Sequence, residues 1–418
     1  MRLLLLCPHF RPDDHAATGE VISRIVDELA SRGHRLHVVT SLPWYEHHRI
    51  EPGWEGKLIR HEDTEWGRIT RVHPFPGDKT NLLARATGFI GFTALALYAG
   101  LGTRQRPDAV YAMSPPITLG VAGWVVARLR RAPLVFNIQD VFPDVAVELG
   151  AITNRGLIGA ARWFERFLYR RSDAVTVLSE DLADNVRTKL AGSPHHQAKV
   201  RVIPNFVDLD RFGPGPRQTP YRDQHHLGDR TVVMYSGNVG FSQSLDLMVG
   251  AARHHHDRDD LVFVINGDGA ARTELVEQAR GLDNLELIGR APREGVPDVL
   301  RAADIHVVPL REGLARSSVP SKLYPILAVG RPVLASVDPG TEVARVVVDS
   351  DAGLAVPPDD LPAFLTALDQ LLADPVVTAA MGERGHDAIV AWASPSAVAE
   401  RYDNLFADLA GPSGPDAA

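Results

Sequence analysis

Short apolar runs recur along this chain, and each is followed by a loop and then by apolar residues at helical spacing. The first run, Arg2 to Cys7, is apolar after its first residue, as is typical of a parallel strand buried on both faces. A helical pattern from Glu20 to Ser31 follows and ends at Gly33, a residue suited to a left-handed cap. The next run, Leu36 to Val39, completes a strand–helix–strand unit.

The same alternation continues through two halves of the chain. The first half adds four predicted strands and a helix at Ile117 to Leu129; the strands are Ala109–Ala112, Leu134–Ile138, Ala174–Leu178 and Val200–Ile203. Residues 213–230 are rich in glycine, proline and polar side chains and are typical of a linker. The second half has five predicted strands, Val232–Ser236, Leu261–Asn266, Leu285–Ile288, Ile305–Val308 and Val333–Ser336. The pattern predicts an α/β fold of two successive doubly wound, Rossmann-like domains.

Length and charge narrow the class of protein. A chain of 418 residues is too long for one compact core, so we expect two domains. A formal net charge of -8 argues against a non-specific nucleic-acid binder. The single cysteine, Cys7, lies in an apolar run, which indicates a buried, reduced thiol and a cytoplasmic protein. The opening apolar run is too short for a secretion signal, and no stretch reaches the roughly 18 apolar residues of a membrane-spanning helix.

Candidate chemistry lies in three loops of the second half. Two of them, Ser236 to Gln243 and Asn266 to Gly269, come directly after predicted strands, where ligands of open α/β sheets bind. Their small residues let the backbone approach an anion, although plain strand-to-helix turns have the same composition. Neither half has a GxGxxG turn, and no GxxxxGK[ST] motif is present, which disfavours a nicotinamide enzyme and a phosphate-loop ATPase.

The third loop, Ser317 to Tyr324, contains a lysine at the start of a predicted helix. Lys322 would lie in the first helical turn, where a cation opposes the helix dipole and needs an anionic partner. A diphosphate would serve, with Lys322 stabilising the charge of a leaving group. The alternative is a solvated lysine.

Taken together, these segments resemble the retaining glycosyltransferases of family four. That family has the GT-B fold, in which two Rossmann-like domains face each other across a cleft and a C-terminal helix crosses back to the first domain. The bacterial subgroup around colanic-acid and O-antigen sugar transferases, including an N-acetyl-fucosamine transferase, is the most similar. The segments that carry the resemblance are Pro8–Gly19, Phe136–Pro143, Val202–Asp208, Tyr235–Gly240, Asn266–Gly269, Ala303–Leu310 and Pro320–Val333.

The resemblance implies a division of the chain. Residues 1–210 form the acceptor-side domain, 211–230 the linker and 231–392 the donor domain. Residues 393–410 form a helix that packs back on the first domain, because Trp392, Ser394 and Pro395 match the family's closing segment. Residues 411–418 form a disordered tail.

The resemblance also implies roles for individual residues. It gives Lys322 and Asp140 catalytic roles, with Asp140 near the acceptor. On the acceptor side it places His15, Thr18 and Gly19. The donor-binding set is Ser236, Gly237, Asn238, Gly240, Asn266, Gly267, Asp268, Gly269, Arg290, Ser317, Ser318 and Ser321.

The chain departs from the family pattern at several of these positions. The family's two glutamates are replaced by Ser317 and Pro325, so the contact to the donor ribose is in doubt. The cations that usually follow the first glycine-rich loop are absent, which leaves Lys322 more responsible for the diphosphate, together with Arg290 or Arg316. Gln139 stands where a histidine is common.

The implied reaction moves a sugar from a UDP-type nucleotide sugar to a glycan or polyprenyl-linked acceptor in cell-surface polysaccharide synthesis. No cofactor, no metal and no nucleic acid are expected, and the histidine pairs lack metal-ligand spacing. A nucleotide-sugar epimerase and a non-catalytic nucleotide-sugar-binding subunit are the alternatives.

A long apolar stretch, Leu82 to Leu101, allows two interpretations: a core helix, or a surface that touches the cytoplasmic face of a membrane. Arg128, Arg130 and Arg131 would then meet anionic headgroups. The localisation that we expect is cytoplasmic, with peripheral membrane contact as the open alternative.

Overall fold

The computed structural model describes residues 1–13, 17–45, 48–77, 82–144, 147, 153–313 and 322–411. These residues form two compact units. Unit 1 comprises Met1–Phe206 together with the C-terminal helix, and unit 2 comprises Val207–Ser394. Each unit is a mainly parallel sheet with helices packed on it, which confirms the predicted α/β class and the two Rossmann-like domains.

Unit 1 is built on an eight-stranded sheet. The strand order is β3-β4-β2-β1-β5-β6-β7-β8, and every pair is parallel except β3 with β4. The strands are β1 (Arg2–Leu6), β2 (Arg35–Ser41), β3 (Ile59–Thr64), β4 (Gly67–Val72), β5 (Ala109–Ser114), β6 (Leu134–Ile138), β7 (Ala174–Val177) and β8 (Val200–Val202). Strands β1, β5 and β6 have almost wholly buried side chains, as their continuous apolar runs predict.

The helices of unit 1 cover this sheet. They are α1 (Ala17–Ser31), α2 (Leu82–Leu101), α3 (Leu119–Arg130), α4 (Arg155–Arg171), α5 (Glu180–Lys189), α6 (Pro194–Gln197) and the C-terminal helix, Pro395–Ala410. The C-terminal helix packs into the same core as β1 and α1 through Val398, Tyr402 and Phe406. Tyr402 also accepts a hydrogen bond from Asn137 of β6 at 3.1 Å, so the last helix is tied to the sheet by polar as well as apolar contacts.

Unit 2 has a six-stranded parallel sheet in the order β11-β10-β9-β12-β13-β14. Its strands are β9 (Thr231–Ser236), β10 (Leu261–Asn266), β11 (Leu285–Ile288), β12 (Ile305–Pro309), β13 (Val333–Ser336) and β14 (Gly353–Val356). Its helices are α7 (Pro220–Gln224), α8 (Asp246–His254), α9 (Arg272–Gln278), α10 (Val296–Ala302), α11 (Leu323–Ala328), α12 (Glu342–Asp349), α13 (Leu361–Ala373) and α14 (Pro375–Ala393). The C-terminal helix Pro395–Ala410, which belongs to unit 1, is α15. The central pair β9 and β10 is in register over six residues, so their ends coincide at Ser236 and Asn266.

Several parts of the chain differ from the sequence-based expectation. Strand β14 was not predicted, since the second half was expected to have five strands and its described residues form six. Strand β3 was not predicted because it lies at the sheet edge and its polar side chains face solvent, which removes the apolar run. Strand β4 lies inside the sheet, but Thr70 and Arg71 are buried polar residues that interrupt its apolar run. Residues 211–230 are not a bare linker, since they include helix α7, whose Tyr221 and Arg222 are buried in unit 2. Residues 412–418 of the predicted tail lie outside the described residues.

The apolar helix α2 packs against α3 and is covered along part of its surface. Phe92, Ala96 and Ala99 are buried, whereas Ile90 and Tyr98 are exposed. Among the described residues, no single helix is both long enough and apolar enough to span a membrane. Helix α13 taken together with α14 and α15 meets both criteria, but the two parts are bent by 101° relative to each other.

The buried guanidinium of Arg222 holds the entry segment onto unit 2. It donates to Asp304 at 2.6 Å and to the carbonyl oxygens of Ala302, Gly228 and Arg230 at 2.8, 2.8 and 3.0 Å. A buried charge of this kind is tolerated only when its hydrogen-bonding groups are satisfied.

We therefore expect Arg222→Ala to lower the free energy of unfolding by about 3–5 kcal/mol, because the carboxylate of Asp304 loses its buried partner. Urea denaturation followed by circular dichroism measures the change. The matched control is Arg217→Ala, which removes a 36% exposed arginine from the same carboxylate and should cost less than about 1 kcal/mol. Equal losses in the two variants would contradict this account.

Candidate functional site

Three segments of unit 2 meet at the carboxyl ends of its central strands. The first two are the loops after β9 and β10, and the third is the start of α11, which follows β12 in the chain. Because β10, β9 and β12 are neighbours in the sheet, these segments lie side by side. The structure thus brings together Lys322 and eight predicted donor-binding residues, Ser236, Gly237, Asn238, Gly240, Asn266, Gly267, Asp268 and Gly269.

Glycines allow these loops to approach one another without side chains between them. A Cβ on Gly267 would lie 1.8 Å from the carbonyl oxygen of Gly237, and a Cβ on Gly269 would lie 2.3 Å from that of Val239. Gly267 also has φ +158°, which side chains rarely adopt. Close packing of backbone on backbone is the reason for the small residues in this part of the sequence.

The N–H groups of these loops are largely used within the protein. Gly237 donates to the carbonyl of Asn266 at 2.9 Å, Val239 to that of Asp268 at 3.0 Å, and Gly240 to the Gln243 side chain at 3.1 Å. These amides therefore fix the shape of the loops, and the charge available to an anion comes from a side chain.

That side chain is Lys322. Its Nζ donates to the hydroxyl of Tyr235 and lies 4.5 Å from the centre of the Tyr235 ring. A Cβ on Gly237 would lie 2.4 Å from Cε of Lys322, so the absence of a side chain at Gly237 leaves room for the lysine in this position. Within the described part of the chain Lys322 has no carboxylate partner. Desolvation lowers the pKa of the Lys322 ammonium to about 8, because a charge is less stable away from water.

Two neighbouring residues were not predicted from the sequence. Tyr235 holds the loop by donating from its hydroxyl to the Asn238 carbonyl at 2.5 Å, and it contacts Lys322. Arg272 donates to the carbonyls of Gly267 and Leu287 at 2.8 and 3.1 Å, so this cation supports the second loop. A tyrosine near the end of a strand and an arginine after Gly-Asp-Gly carry no distinctive sequence signal.

Four predicted donor residues remain, and three of them lie outside the described residues. Arg290 is exposed two residues beyond β11, and the adjacent Gly289 carbonyl accepts from Asn266 at 2.9 Å. Ser317, Ser318 and Ser321 lie outside the described residues, as does Arg316.

Unit 1 has a separate cavity of about 830 Å³ at the carboxyl ends of its strands. Its walls are largely aromatic and include His9, Trp44, Tyr45, Phe75, Phe89 and Phe142. The His9 ring stacks on Trp44 and meets Tyr45 edge-on, with centroid distances of 6.0 and 4.8 Å. An apolar space with a polar side chain in its wall is the usual form of a small-molecule site.

A buried carboxylate orients the histidine in that wall. The Nδ1 atom of His9 is 3.1 Å from Asp13, and the same carboxylate accepts from the backbone N–H of Trp44 and Tyr45 at 3.4 and 3.2 Å. Since the carboxylate accepts all three hydrogen bonds, Nδ1 of His9 carries a proton and Nε2 is left for the cavity. Neither His9 nor Asp13 was predicted as a site residue, because a lone histidine and a lone aspartate in a loop give little sequence signal.

The predicted acceptor-side residues lie around the same sheet edge. Thr18 and Gly19 are in the first turn of α1, where a Cβ on Gly19 would lie 2.4 Å from the Asp13 carbonyl. Asp140 follows β6 with an exposed side chain, and partial desolvation raises the pKa of its carboxyl. His15 lies outside the described residues.

Gln139 belongs to a buried chain of amides. Its Nε2 donates to Asn137 at 2.7 Å and its Oε1 accepts from Asn205 at 2.8 Å, while Asn137 donates to Thr176 at 3.1 Å. The residue at this position therefore braces the ends of β6 and β8.

Cys7 is buried as predicted, and burial raises the pKa of its thiol to about 12.

Comparison with known proteins matches both units to sequence families. Residues 17–205 match the family described as Glycosyl transferase 4-like domain, and residues 230–374 match Glycosyl transferases group 1. WcaI of Escherichia coli K12, named as a colanic acid biosynthesis glycosyl transferase, is 27% identical over 388 residues, which cover 89% of this chain and 92% of WcaI.

Two solved structures share the fold over nearly the whole chain. Sucrose-phosphate synthase from Thermosynechococcus elongatus superposes with a TM-score of 0.67 at 18% identity, covering 97% of this chain and 98% of the synthase. HepE of Anabaena, solved in complex with UDP, has a TM-score of 0.64 at 15% identity, covering 98% of this chain and all of HepE.

We expect Gly267→Ala to destabilise unit 2 by roughly 1–3 kcal/mol, because the new methyl would collide with the Gly237 carbonyl at a φ that alanine rarely adopts. Guanidinium denaturation measures the loss. Gly289→Ala is the control: it follows the neighbouring strand, no atom lies within 4 Å of the place its methyl would take, and stability should change by less than about 0.5 kcal/mol. A Gly267→Ala variant as stable as the control would show that the loops are not in contact.

Proposed function

This chain is a glycosyltransferase with the GT-B fold, built from a glycosyl transferase 4-like domain and a glycosyl transferases group 1 domain. We propose that it is a retaining enzyme acting on a UDP-type nucleotide sugar. The acceptor is a glycan or a polyprenyl-linked sugar, and the product contributes to a cell-surface polysaccharide. The observation that carries the proposal is the partly buried Lys322 ammonium, which lacks a carboxylate partner among the described residues.

A desolvated cation without a counter-charge is costly unless an anion joins it. Desolvation disfavours the charged form of Lys322, and the phenol of Tyr235 compensates only in part. A diphosphate placed against the same loops would supply the missing negative charge. The likeness to HepE, which binds UDP, and to WcaI, named for polysaccharide synthesis, supports this choice of donor and pathway.

The chemical step that this site would assist is departure of the nucleotide diphosphate. Negative charge grows on the phosphate as its bond to the anomeric carbon breaks, and the Lys322 ammonium would stabilise that charge. A phosphate oxygen would take the proton of the acceptor hydroxyl as the new bond forms on the same face. The sugar then keeps its anomeric configuration, and no nucleophile from the protein is required.

The acceptor would use the aromatic cavity of unit 1. Aromatic walls pack against the apolar faces of sugar rings, while the Nε2 atom of His9 can accept a hydrogen bond from a hydroxyl group. Holding that hydroxyl in one orientation lowers the entropy that must be lost on reaching the transition state.

We expect Lys322→Ala to reduce sugar release from UDP-glucose or UDP-N-acetylglucosamine by about 10²–10³-fold, since one charged stabiliser of the leaving group is lost. Chromatographic assay of UDP measures turnover with water as acceptor. Lys57→Ala, at an exposed lysine of unit 1, is the control and should keep the wild-type rate. Wild-type turnover by the Lys322→Ala variant would refute the assigned role.

UDP affinity should also fall as the pH rises through about 8, because the Lys322 ammonium loses its proton there. Bound diphosphate favours the protonated form, so the dissociation constant rises by up to roughly tenfold per pH unit above that value. Titration calorimetry between pH 7 and pH 9 measures this slope. Lys322→Gln removes the titrating group and should give a flatter profile; identical profiles for both proteins would exclude Lys322 as the source.

A further inference from the structure

Two adjacent histidines and an aspartate from a different helix meet on unit 2. His254 is the last residue of α8, His255 follows it directly, and Asp369 lies on α13. One ring nitrogen of each histidine and one carboxylate oxygen lie within 4.8 Å of one another. We call these three residues the α8–α13 cluster. Two imidazole nitrogens and a carboxylate oxygen are ligand types that zinc accepts in proteins.

The fold fixes the position of His255 within this cluster. The residue is 7% exposed, and its ring stacks on Phe263 of β10 at a centroid distance of 6.3 Å. Its backbone N–H donates to the Ala251 carbonyl at 3.0 Å, and its own carbonyl accepts from the Asn284 side chain at 3.0 Å. The core of unit 2 therefore holds this ring in place, as a preorganised ligand requires.

The Nε2 atom of His255 faces a carboxylate without a hydrogen bond to it. It is 3.2 Å from Oδ1 of Asp369, yet within the described part of the chain this buried nitrogen has no hydrogen-bond partner. Desolvation lowers the pKa of the His255 ring even though Asp369 opposes the shift, so the ring is mostly neutral at pH 7. A buried nitrogen without a partner is costly, and a cation bound between the two atoms would remove that cost.

The separation of these two atoms suits two ligands of one tetrahedral ion. Ligand atoms at the usual zinc bond lengths of about 2.0–2.1 Å lie roughly 3.3 Å apart in a tetrahedron, close to the spacing of His255 and Asp369. His254 is exposed, and its ring meets that of His255 edge-on at a centroid distance of 4.8 Å. A change of its rotamer can therefore bring its nitrogen to the same ion. Water would take the fourth position.

The charges around the cluster are compatible with a bound cation. The nearby guanidinium of Arg258 donates to both carboxylate oxygens of Asp260, at 3.0 and 2.6 Å, so it is occupied by a carboxylate other than Asp369. Asp257 and Asp259, in the turn after α8, are exposed and add negative charge. A divalent ion would thus enter a region whose one nearby arginine is already neutralised.

We propose that the α8–α13 cluster binds a divalent transition-metal ion of the zinc type and thereby ties α8 to α13. Imidazole ligands select against Mg²⁺ and Ca²⁺, which prefer oxygen. The two helices already share an apolar core that includes Met248 of α8 with Phe364 and Leu368 of α13. The ion would add a polar cross-link to this packing. Adjacent histidines lack metal-ligand spacing in the sequence, because the third ligand comes from a distant helix.

The cluster lies away from the donor-side loops. Since β9 and β10 are parallel neighbours, α8 runs from the loops at their carboxyl ends back to their amino ends, where His254 and His255 lie. The ion would therefore stabilise unit 2 and take no part in sugar transfer. This inference does not depend on the proposed function.

The test is titration calorimetry of the full chain with zinc chloride and with magnesium chloride, after removal of metal and of any histidine tag. The wild type should bind one zinc ion at this cluster and bind magnesium far more weakly. His254→Ala and Asp369→Asn each remove one ligand from an exposed position, so folding should be preserved. Each should weaken zinc binding about 100-fold or more, because even partners outside the ligand set contribute about 10–100-fold.

His256→Ala is the matched control. This exposed histidine follows the cluster directly, but its Nδ1 donates to the Arg253 carbonyl at 3.2 Å, and it is not a member of the cluster. Its zinc affinity should equal that of the wild type. Thermal unfolding gives a second measurement: zinc should raise the Tm of the wild type and of His256→Ala, but not that of Asp369→Asn.

Four results would overturn the proposal. They are no zinc binding by the wild type, magnesium binding as tight as zinc binding, wild-type zinc affinity in both His254→Ala and Asp369→Asn, and a loss of affinity in His256→Ala as large as in those two variants.

Discussion

The donor-side site depends on one constraint: a lysine ammonium is held largely away from water without a carboxylate partner among the described residues. Gly237 leaves room for the Lys322 side chain because it has none of its own. The loops after β9 and β10 touch through their backbones, since a Cβ on Gly267 would collide with the Gly237 carbonyl. The amides of those loops donate hydrogen bonds to carbonyls of the neighbouring loop, so the two loops are tied together without a ligand. The site is thus a fixed positive charge in a shaped surface, which is what stabilisation of a leaving phosphate requires.

The architecture of both units is predictable from the sequence because buried parallel strands appear in it as continuous apolar runs. Such runs appear in β1, β6, β9 and β10, and each of them predicts its strand correctly. Strand β3 was missed because an edge strand needs no apolar run, and β4 because Thr70 and Arg71 interrupt its apolar residues. Helix α7 was missed because its five residues lie among prolines and glycines, and its stability comes from burial of Arg222 rather than from local propensity.

Some residues of the donor-side loops and of the aromatic cavity could be predicted from the sequence, and others could not. The glycine loops were singled out because they follow strand ends, where chemistry concentrates, and Lys322 because it begins a predicted helix; their roles in donor binding came from the family resemblance. The roles of Tyr235, His9 and Asp13 arise from contacts between residues distant in sequence, such as the hydrogen bonds from Trp44 and Tyr45 to Asp13.

The position of helix α15 has a consequence for biosynthesis. The core of unit 1 includes Val398, Tyr402 and Phe406, which follow the whole of unit 2 in the chain. A ribosome therefore completes unit 2 before it delivers the last part of unit 1. While residues 207–394 are being synthesised, β1 and α1 lack part of their hydrophobic core. The apolar surface that is exposed during this period favours chaperone binding or aggregation. Unit 1 is thus the first unit whose synthesis begins and the last unit that can complete its folding.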